Sequence, residues 1–299
     1  MGWENSRVQV LMSTYNGERF LEEQMESLLA QSWKNLEILI RDDGSTDSTM
    51  QILERYCMKY PNIQVFVGEN IGVAKSFFEL LQESDGDFVA FCDQDDVWLE
   101  HKVEAAITVL KEEQGPALYC GGKTLVDSSL KPMEKQNRER LAPGFGNAVV
   151  ECICTGCTAV LNRKLIDIMK VRLPEHAILH DWWSYLVAAY VGKVIYDPEA
   201  YILYRQHGKN VVGAKAGFWG ELQAKAAYLK KNKGKLKGQL EDFAKLYSGD
   251  GDKDALVKQV LAAGGLAGRI KILWNSRIYR QKKLDEWVMK ALFLAGRML

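Results

Sequence analysis

Between residues 7 and 93 the chain alternates short apolar, β-branched runs with stretches of helical spacing, and this alternation most limits how it can fold. The runs RVQVLMS, LEILIRDD, IQVFV and FVAFCD read as strands. Between them, GERFLEEQMESLLAQ places Phe20, Leu21, Met25, Leu28 and Leu29 on one helical stripe, DSTMQILERYCMKY follows Ser45 or Thr46 as a cap, and AKSFFELLQES makes a third helix. Repeated units of this kind predict an α/β fold: a mainly parallel sheet with helices on both faces, joined by right-handed crossovers. Ligands on such sheets bind at the carboxyl ends of the strands.

Those strand ends are where the polar residues gather. The first strand runs into STYNGE, the second into RDDGSTD, the third into GENIGVAKS and the fourth into CDQDDVW. Asp93, Asp95 and Asp96 are crowded into one short stretch, and like charges so placed repel unless a cation or donor hydrogens lie between them. Mg²⁺ or Mn²⁺ suits such oxygen ligands and takes phosphates as further ligands. The chain has neither G-x-x-x-x-G-K-[ST] nor a G-x-G-x-x-G after its first strand, so a P-loop NTPase and a dinucleotide oxidoreductase are both unsupported.

At 299 residues and 47% hydrophobic, the chain can bury a large core as one domain with an appendage. It contains no run of 18 apolar residues, and MGWENSRVQVLMS lacks the layout of a secretory signal, so a cytoplasmic protein is expected. Cys57, Cys92 and Cys120 are isolated, and Cys152, Cys154 and Cys157 are expected as small side chains on a buried strand, with no fourth ligand spaced to complete a tetrahedral metal site. Residues 1–100 carry 19 acidic against 7 basic residues, whereas residues 269–299 carry 8 basic against 2 acidic. No uniformly basic face argues for nucleic acid.

The motifs VLMSTYNGERFLEEQMESLLAQSWKNLEILIRDDGSTDST, NIGVAKSF, FCDQDDVW, TGCTAVLNRKL, HDWWSYLVAAYVGKVIY and YRQHGKNVVG together resemble the family 2 glycosyltransferases of GT-A fold, in particular their bacterial rhamnosyltransferase-like subset. The resemblance covers residues 7–213, with a nucleotide-sugar half to about residue 115 and an acceptor half to 213. It implies an inverting, metal-dependent transfer of a sugar, plausibly L-rhamnose from dTDP-rhamnose, to a surface polysaccharide or lipid-linked glycan. By the same resemblance Asp95, Asp93 and His207 hold Mg²⁺ or Mn²⁺, with Asp93 also facing the ribose. Ser13, Tyr15 and Asp43 line the pocket for a pyrimidine base, and Gly72, Lys75 and Arg205 approach the donor. Asp181 is the general base on the acceptor side, and Trp98, Trp182 and Trp183 are acceptor-side candidates; helical spacing puts the HDWW pair on different faces, one expected in the core and one against an acceptor sugar, with core the favoured reading for either alone. The family more often has Glu-Asp where this chain has His180-Asp181, which leaves the role of His180 open. Asp96 is expected only to cap a helix that begins at Val97 and Trp98.

Two readings from other classes remain beside this one. A nucleotidyltransferase would carry a glycine- and basic-rich loop after the first strand, where STYNGERF stands, and a non-catalytic adaptor on a retired transferase fold would have lost Asp95 or Asp181. Residues 214–299 are expected to be a helical extension. Near its end Leu284, Trp287, Val288, Ala291, Leu292, Ala295 and Met298 form a stripe among Lys282, Lys283, Lys290 and Arg297, which suits a peripheral membrane contact or a partner subunit. His101 and His176 are expected on the surface.

Overall fold

Alternating burial along the first strand sets the architecture. The structure is a computed structural model that describes residues 5–133, 140–206, 234–247 and 249–299. Strand β1 (Val8–Thr14) turns Val8, Val10 and Met12 into one hydrophobic layer and Leu11 into the other, the period of two expected of a sheet buried on both faces. Strands β2 (Leu36–Asp42) and β4 (Phe88–Cys92) flank it in parallel, and β3 (Ile63–Val67) continues beyond β2. Helices α1 (Leu21–Leu29), α2 (Thr49–Lys59) and α3 (Val73–Glu83) make the crossovers where the spacing puts them. The cap of α2 differs from expectation. Asp47, rather than Ser45 or Thr46, accepts the Thr49 N–H at 3.0 Å, which leaves those two residues for the strand-end loops.

Past β4 the sheet reverses. Strand β7 (Val160–Asn162) is antiparallel to β4 and to β6 (Ala117–Val126), and β8 (Lys193–Arg205) runs parallel to β6. The short strand β5 (Val97–Trp98) pairs antiparallel with β8 and ends the order β3-β2-β1-β4-β7-β6-β8-β5. Val97 and Trp98 therefore begin a strand, and the next helix, α4, spans Lys102–Leu110.

Strands β4 and β5 stand four places apart in the sheet, yet only Asp93–Asp96 separate them in sequence. Fully extended, that link reaches about 17 Å, whereas a flat sheet would require about 19 Å at roughly 4.8 Å per strand. The link also contains a turn. The sheet must therefore curl, and β5 closes against α1: Trp98 N–H donates to Ser27 Oγ at 3.0 Å, and Gln31 Nε2 donates to Leu99 O at 3.0 Å.

One hydrophobic layer combines α1, α2 and α4 with Ile38, Ile40, Phe88 and Ala90. The opposite layer joins Leu11, Leu39, Val89 and Phe91 to α3, α6 (Arg163–Lys170) and α7 (His180–Val191). Short helix α5 (Phe145–Ala148) and the C-terminal helices α8 (Lys235–Leu246), α9 (Asp252–Ala262), α10 (Leu266–Trp274) and α11 (Lys283–Leu294) close over α7, contributing Phe243, Val257, Val260, Ile272, Met289 and Phe293 to that layer. No helix among the described residues is long and apolar enough to cross a membrane.

Candidate active site

The carboxyl ends of β1 and β2 and the start of α3 meet at one corner. Asp43, buried just past the end of β2, pairs with Arg41 and accepts the Ile71 N–H at 3.1 Å and the Gly72 N–H at 3.0 Å. Gly72 has φ of 83°, a left-handed conformation that favours glycine and lets its amide face the carboxylate. Ser13 Oγ donates to Ser76 Oγ at 2.7 Å, one residue from exposed Lys75. Tyr15 is half-exposed, and its N–H donates to Gln94 Oε1 at 2.9 Å while Gln94 Nε2 donates back to Tyr15 O at 3.1 Å. This exchange fastens the end of β1 to the acidic loop. The structure thus sets Ser13, Asp43 and Gly72 at this corner, with Lys75 exposed on α3 and Tyr15 beside the acidic loop.

The acidic loop sorts its three carboxylates differently. Asp93, Asp96 and Cys157 bring three potential ligand atoms within 4.8 Å of one another. Asp96 is fully buried; its Oδ1 accepts the Arg205 N–H at 2.9 Å, while Oδ2 has no hydrogen-bond partner. Burial, reinforced by Asp95, pushes the Asp96 carboxyl up to about 7, and burial with Asp96, Asp95 and Asp181 nearby lifts Asp93 well above the usual carboxylate range. Asp95 is partly exposed beside them. Carboxylates driven toward protonation, with a buried oxygen lacking a donor, fit a divalent cation whose charge would hold them ionised. Asp96, expected as a helix cap, instead joins Asp93, because Val97–Trp98 is a strand and there is no helix start to cap. His207 lies outside the described residues.

On the opposite wall, Asp181 sits in the first turn of α7. Its Oδ1 accepts the Trp182 N–H at 2.6 Å and its Oδ2 accepts the Gly156 N–H at 3.0 Å. Burial pushes it up to about 6, restrained by those two N–H bonds and by the charge of Lys123. His180 is buried with its ring stacked 3.8 Å from Phe77 and edge-on 4.8 Å from Phe91, and neither ring nitrogen has a partner. Burial pushes it down to about 3, so it is a neutral packing residue. A Cβ at Gly156 would lie 2.7 Å from His180 Nε2, so the loop before β7 can approach the start of α7 only with glycine there.

Residues 9–168 match the family described as Glycosyl transferase family 2. The chain belongs to that family. A dTDP-rhamnosyl transferase, RfbG of Shigella flexneri, is 31% identical to it across 95% of this chain and 99% of its own length. Among solved structures, S. aureus TarS 1–349 in complex with UDP-GlcNAc superposes with a TM-score of 0.62 at 18% identity, covering 98% of this chain and 82% of TarS. The mannosyltransferase PcManGT of Pyrobaculum calidifontis, in complex with GDP-Man and Mn²⁺, superposes at 0.57 and 19% identity, covering 98% and 86%. The curled, mostly parallel sheet is therefore the GT-A fold, and the protein is a glycosyltransferase.

Four residues expected around the substrates of this glycosyltransferase lie elsewhere. Arg205, at the end of β8, is buried and braces the acidic loop from behind: Nε donates to Asp95 O at 2.8 Å, Nη1 donates to Ser128 O at 2.7 Å, and Nη2 pairs with Glu23. It presents no donors to a diphosphate. Trp183 is wholly buried against Phe243 and Tyr247, Trp98 is buried beneath Lys102, and Trp182 is buried with its Nε1 donating to Ala148 O at 2.7 Å. None of the three tryptophans offers a face to an acceptor sugar. Conversely, Cys157 of the ECICTGCTAV cluster is not on the strand expected of it. It lies in a single 3₁₀ turn (Gly156–Thr158) that carries its thiol to Asp93 and Asp96.

Proposed function

We propose that this glycosyltransferase is inverting and metal-dependent, and that it moves L-rhamnose from dTDP-rhamnose to a surface polysaccharide or lipid-linked glycan at the inner face of the cell membrane. The observation that carries the reading is the buried Asp181, raised to about 6, standing close enough to the acidic loop to raise Asp93 in turn. A carboxylate with that pKa is ionised at neutral pH yet basic enough to take a proton from an acceptor hydroxyl. As the hydroxyl oxygen forms its bond to the anomeric carbon, the bond from that carbon to the nucleotide diphosphate breaks on the opposite face, and Asp181 retains the proton. Asp93, Asp95 and Asp96 would hold Mg²⁺ or Mn²⁺, which when bound stabilises charge on the departing diphosphate. Asp43 accepts the N3–H of thymine or uracil, with Ser13 and Tyr15 beside the base and Gly72 and Lys75 toward the donor. The name of the Shigella relative, a dTDP-rhamnosyl transferase, supports the thymidine donor, and the UDP-GlcNAc and GDP-Man complexes of the two solved neighbours support a nucleotide-sugar donor more broadly.

Two variants test the assignment. Asp181→Asn lowers kcat about a hundred- to ten-thousandfold and leaves metal-dependent nucleotide binding intact. Asp95→Ala abolishes transfer and also weakens that binding, measured by titrating dTDP with and without Mn²⁺. Wild-type turnover by Asp181→Asn overturns the base assignment. Failure of every dTDP- and UDP-sugar to bind in Mg²⁺ or Mn²⁺ overturns the donor class.

A further inference from the structure

A helix on the surface of a globular protein normally turns its apolar residues inward and its charged residues outward. Helices α10 and α11 do otherwise. The outward arc of α11 is made of Leu284, Trp287, Val288, Ala291, Leu294 and Ala295, with Lys283 at its margin, while Met289 and Phe293 fill the inward side. The outward arc of α10 repeats the arrangement at the same helical phase, with Leu266, Ala267, Ile270 and Trp274 exposed and Lys271 at the margin, while Gly268 and Ile272 face the core. Trp274 is 85% exposed and Trp287 72%. The two helices pack on one another and send Ile272, Met289 and Phe293 into the same hydrophobic layer, so both outward arcs lie on the side away from it. Two tryptophans among aliphatics, edged by lysines in a segment with 8 basic and 2 acidic residues, complement the apolar boundary and negative charge of an anionic bilayer.

The segment that joins these helices reaches the acceptor side of the cleft. Tyr279 Oη donates to Ala142 O at 3.0 Å, and Asn147 Nδ2 donates to Tyr279 O at 3.2 Å. Arg280 pairs with Glu151 at 3.0 Å, and the Gln281 N–H donates to the same carboxylate at 2.8 Å. At Gly146 any side chain would collide with Arg277 O, so the two backbones touch. Residues 142–151 lead directly into Cys152–Gly156, and the Gly156 N–H is one of the two bonds that hold Asp181.

We infer that the outward faces of α10 and α11 form one docking surface for an anionic bilayer, and that the linker between them ties the acceptor-side loop to that surface. The coupling to the acceptor rests on the lipid-linked reading above; the docking does not. The test is co-sedimentation of the full chain with vesicles of phosphatidylglycerol and phosphatidylcholine, against phosphatidylcholine alone, alongside hydrolysis of dTDP-rhamnose in lipid-free buffer. The chain binds the phosphatidylglycerol vesicles, more weakly as salt rises, and scarcely binds phosphatidylcholine. Lys271→Gln with Lys283→Gln lowers the partition about thirtyfold, from two lost charges at the surface. Trp274→Ser with Trp287→Ser abolishes binding while hydrolysis is unchanged, since both side chains are exposed. Hydrolysis without any vesicle binding at low salt overturns this inference and leaves the functional reading standing. Vesicle binding without hydrolysis of any nucleotide sugar does the reverse. Concentration-dependent dimerisation that the tryptophan variant abolishes, with no vesicle binding, assigns the face to a second copy and also overturns the inference.

Discussion

His180 and Asp181 are adjacent, and burial drives each toward its neutral form. For His180 the folded value near 3 lies below the ordinary 6.5, so an unfolded chain takes up a proton below pH 6.5 that the folded chain refuses. Stability from this group is present above pH 6.5 and is lost as pH falls toward 3. Replacing His180 by Leu removes that loss. In urea unfolding, the variant's stability relative to wild type rises by up to about 1.4 kcal/mol for each pH unit below 6.5; an equal difference at pH 7 and pH 5 would refute the account. Asp181 has the opposite sign: its folded value near 6 exceeds the ordinary 3.8, so it favours the folded state below about 3.8 and loses that advantage as pH rises through 6. If Asp181 is the base proposed above, the same ionisation is expected to give kcat/KM an acid limb near pH 6, read from a pH–rate profile. At this scale the sequence places the surface histidines, since His101 and His176 are exposed as expected, but it misplaces Asp96. It was silent on His180, because what fixes that ring is Phe77 and Phe91, brought from distant parts of the chain.

Among the elements, the open-sheet half was legible because its residues alternate at two clear periods. The reversed half was not. A strand of two residues, β5, is too short to show a period, so in the sequence Asp96 and Trp98 resemble a capped helix start. The two tryptophans of α7 were expected on different faces, one of them free, but nearly every residue of HDWWSYLVAAYV is buried. Helical spacing cannot show that α8 and α9 cover the second face; only the tertiary packing does. Arg205 shows the same limit, since a basic residue near a donor loop reads equally as a phosphate ligand or a brace. As a brace it joins β8, the acidic loop, Ser128 and α1 through one buried guanidinium. Removing it takes three bonds from a buried guanidinium, but their partners Glu23, Ser128 and Asp95 are themselves exposed or partly exposed, so Arg205→Ala is expected to cost about 1–3 kcal/mol in urea unfolding. A loss under about 1 kcal/mol would show the network to be dispensable.

Taken whole, the molecule has two hydrophobic layers around one curled sheet, and the C-terminal helices belong to the second layer. Deleting residues 264–299 withdraws Ile272, Ile278, Met289 and Phe293 from the core that holds α7. At about 1.5–3 kcal/mol for each buried side chain, the loss approaches the roughly 5–15 kcal/mol that typically separates folded from unfolded chains. The truncated chain is expected to aggregate or to lack a cooperative unfolding transition by circular dichroism. A soluble, active truncation would show that α10 and α11 are an accessory.

The link from β4 to β5 acts as a clasp as well as a ligand shelf. Because Asp93–Asp96 is barely long enough to bring the edge strand β5 of a curled sheet back to central β4, its length is set by girth as firmly as its acidity is set by chemistry. Variation there is confined to substitution. An added residue there would slacken the clasp and carry the carboxylates away from the wall that holds Asp181.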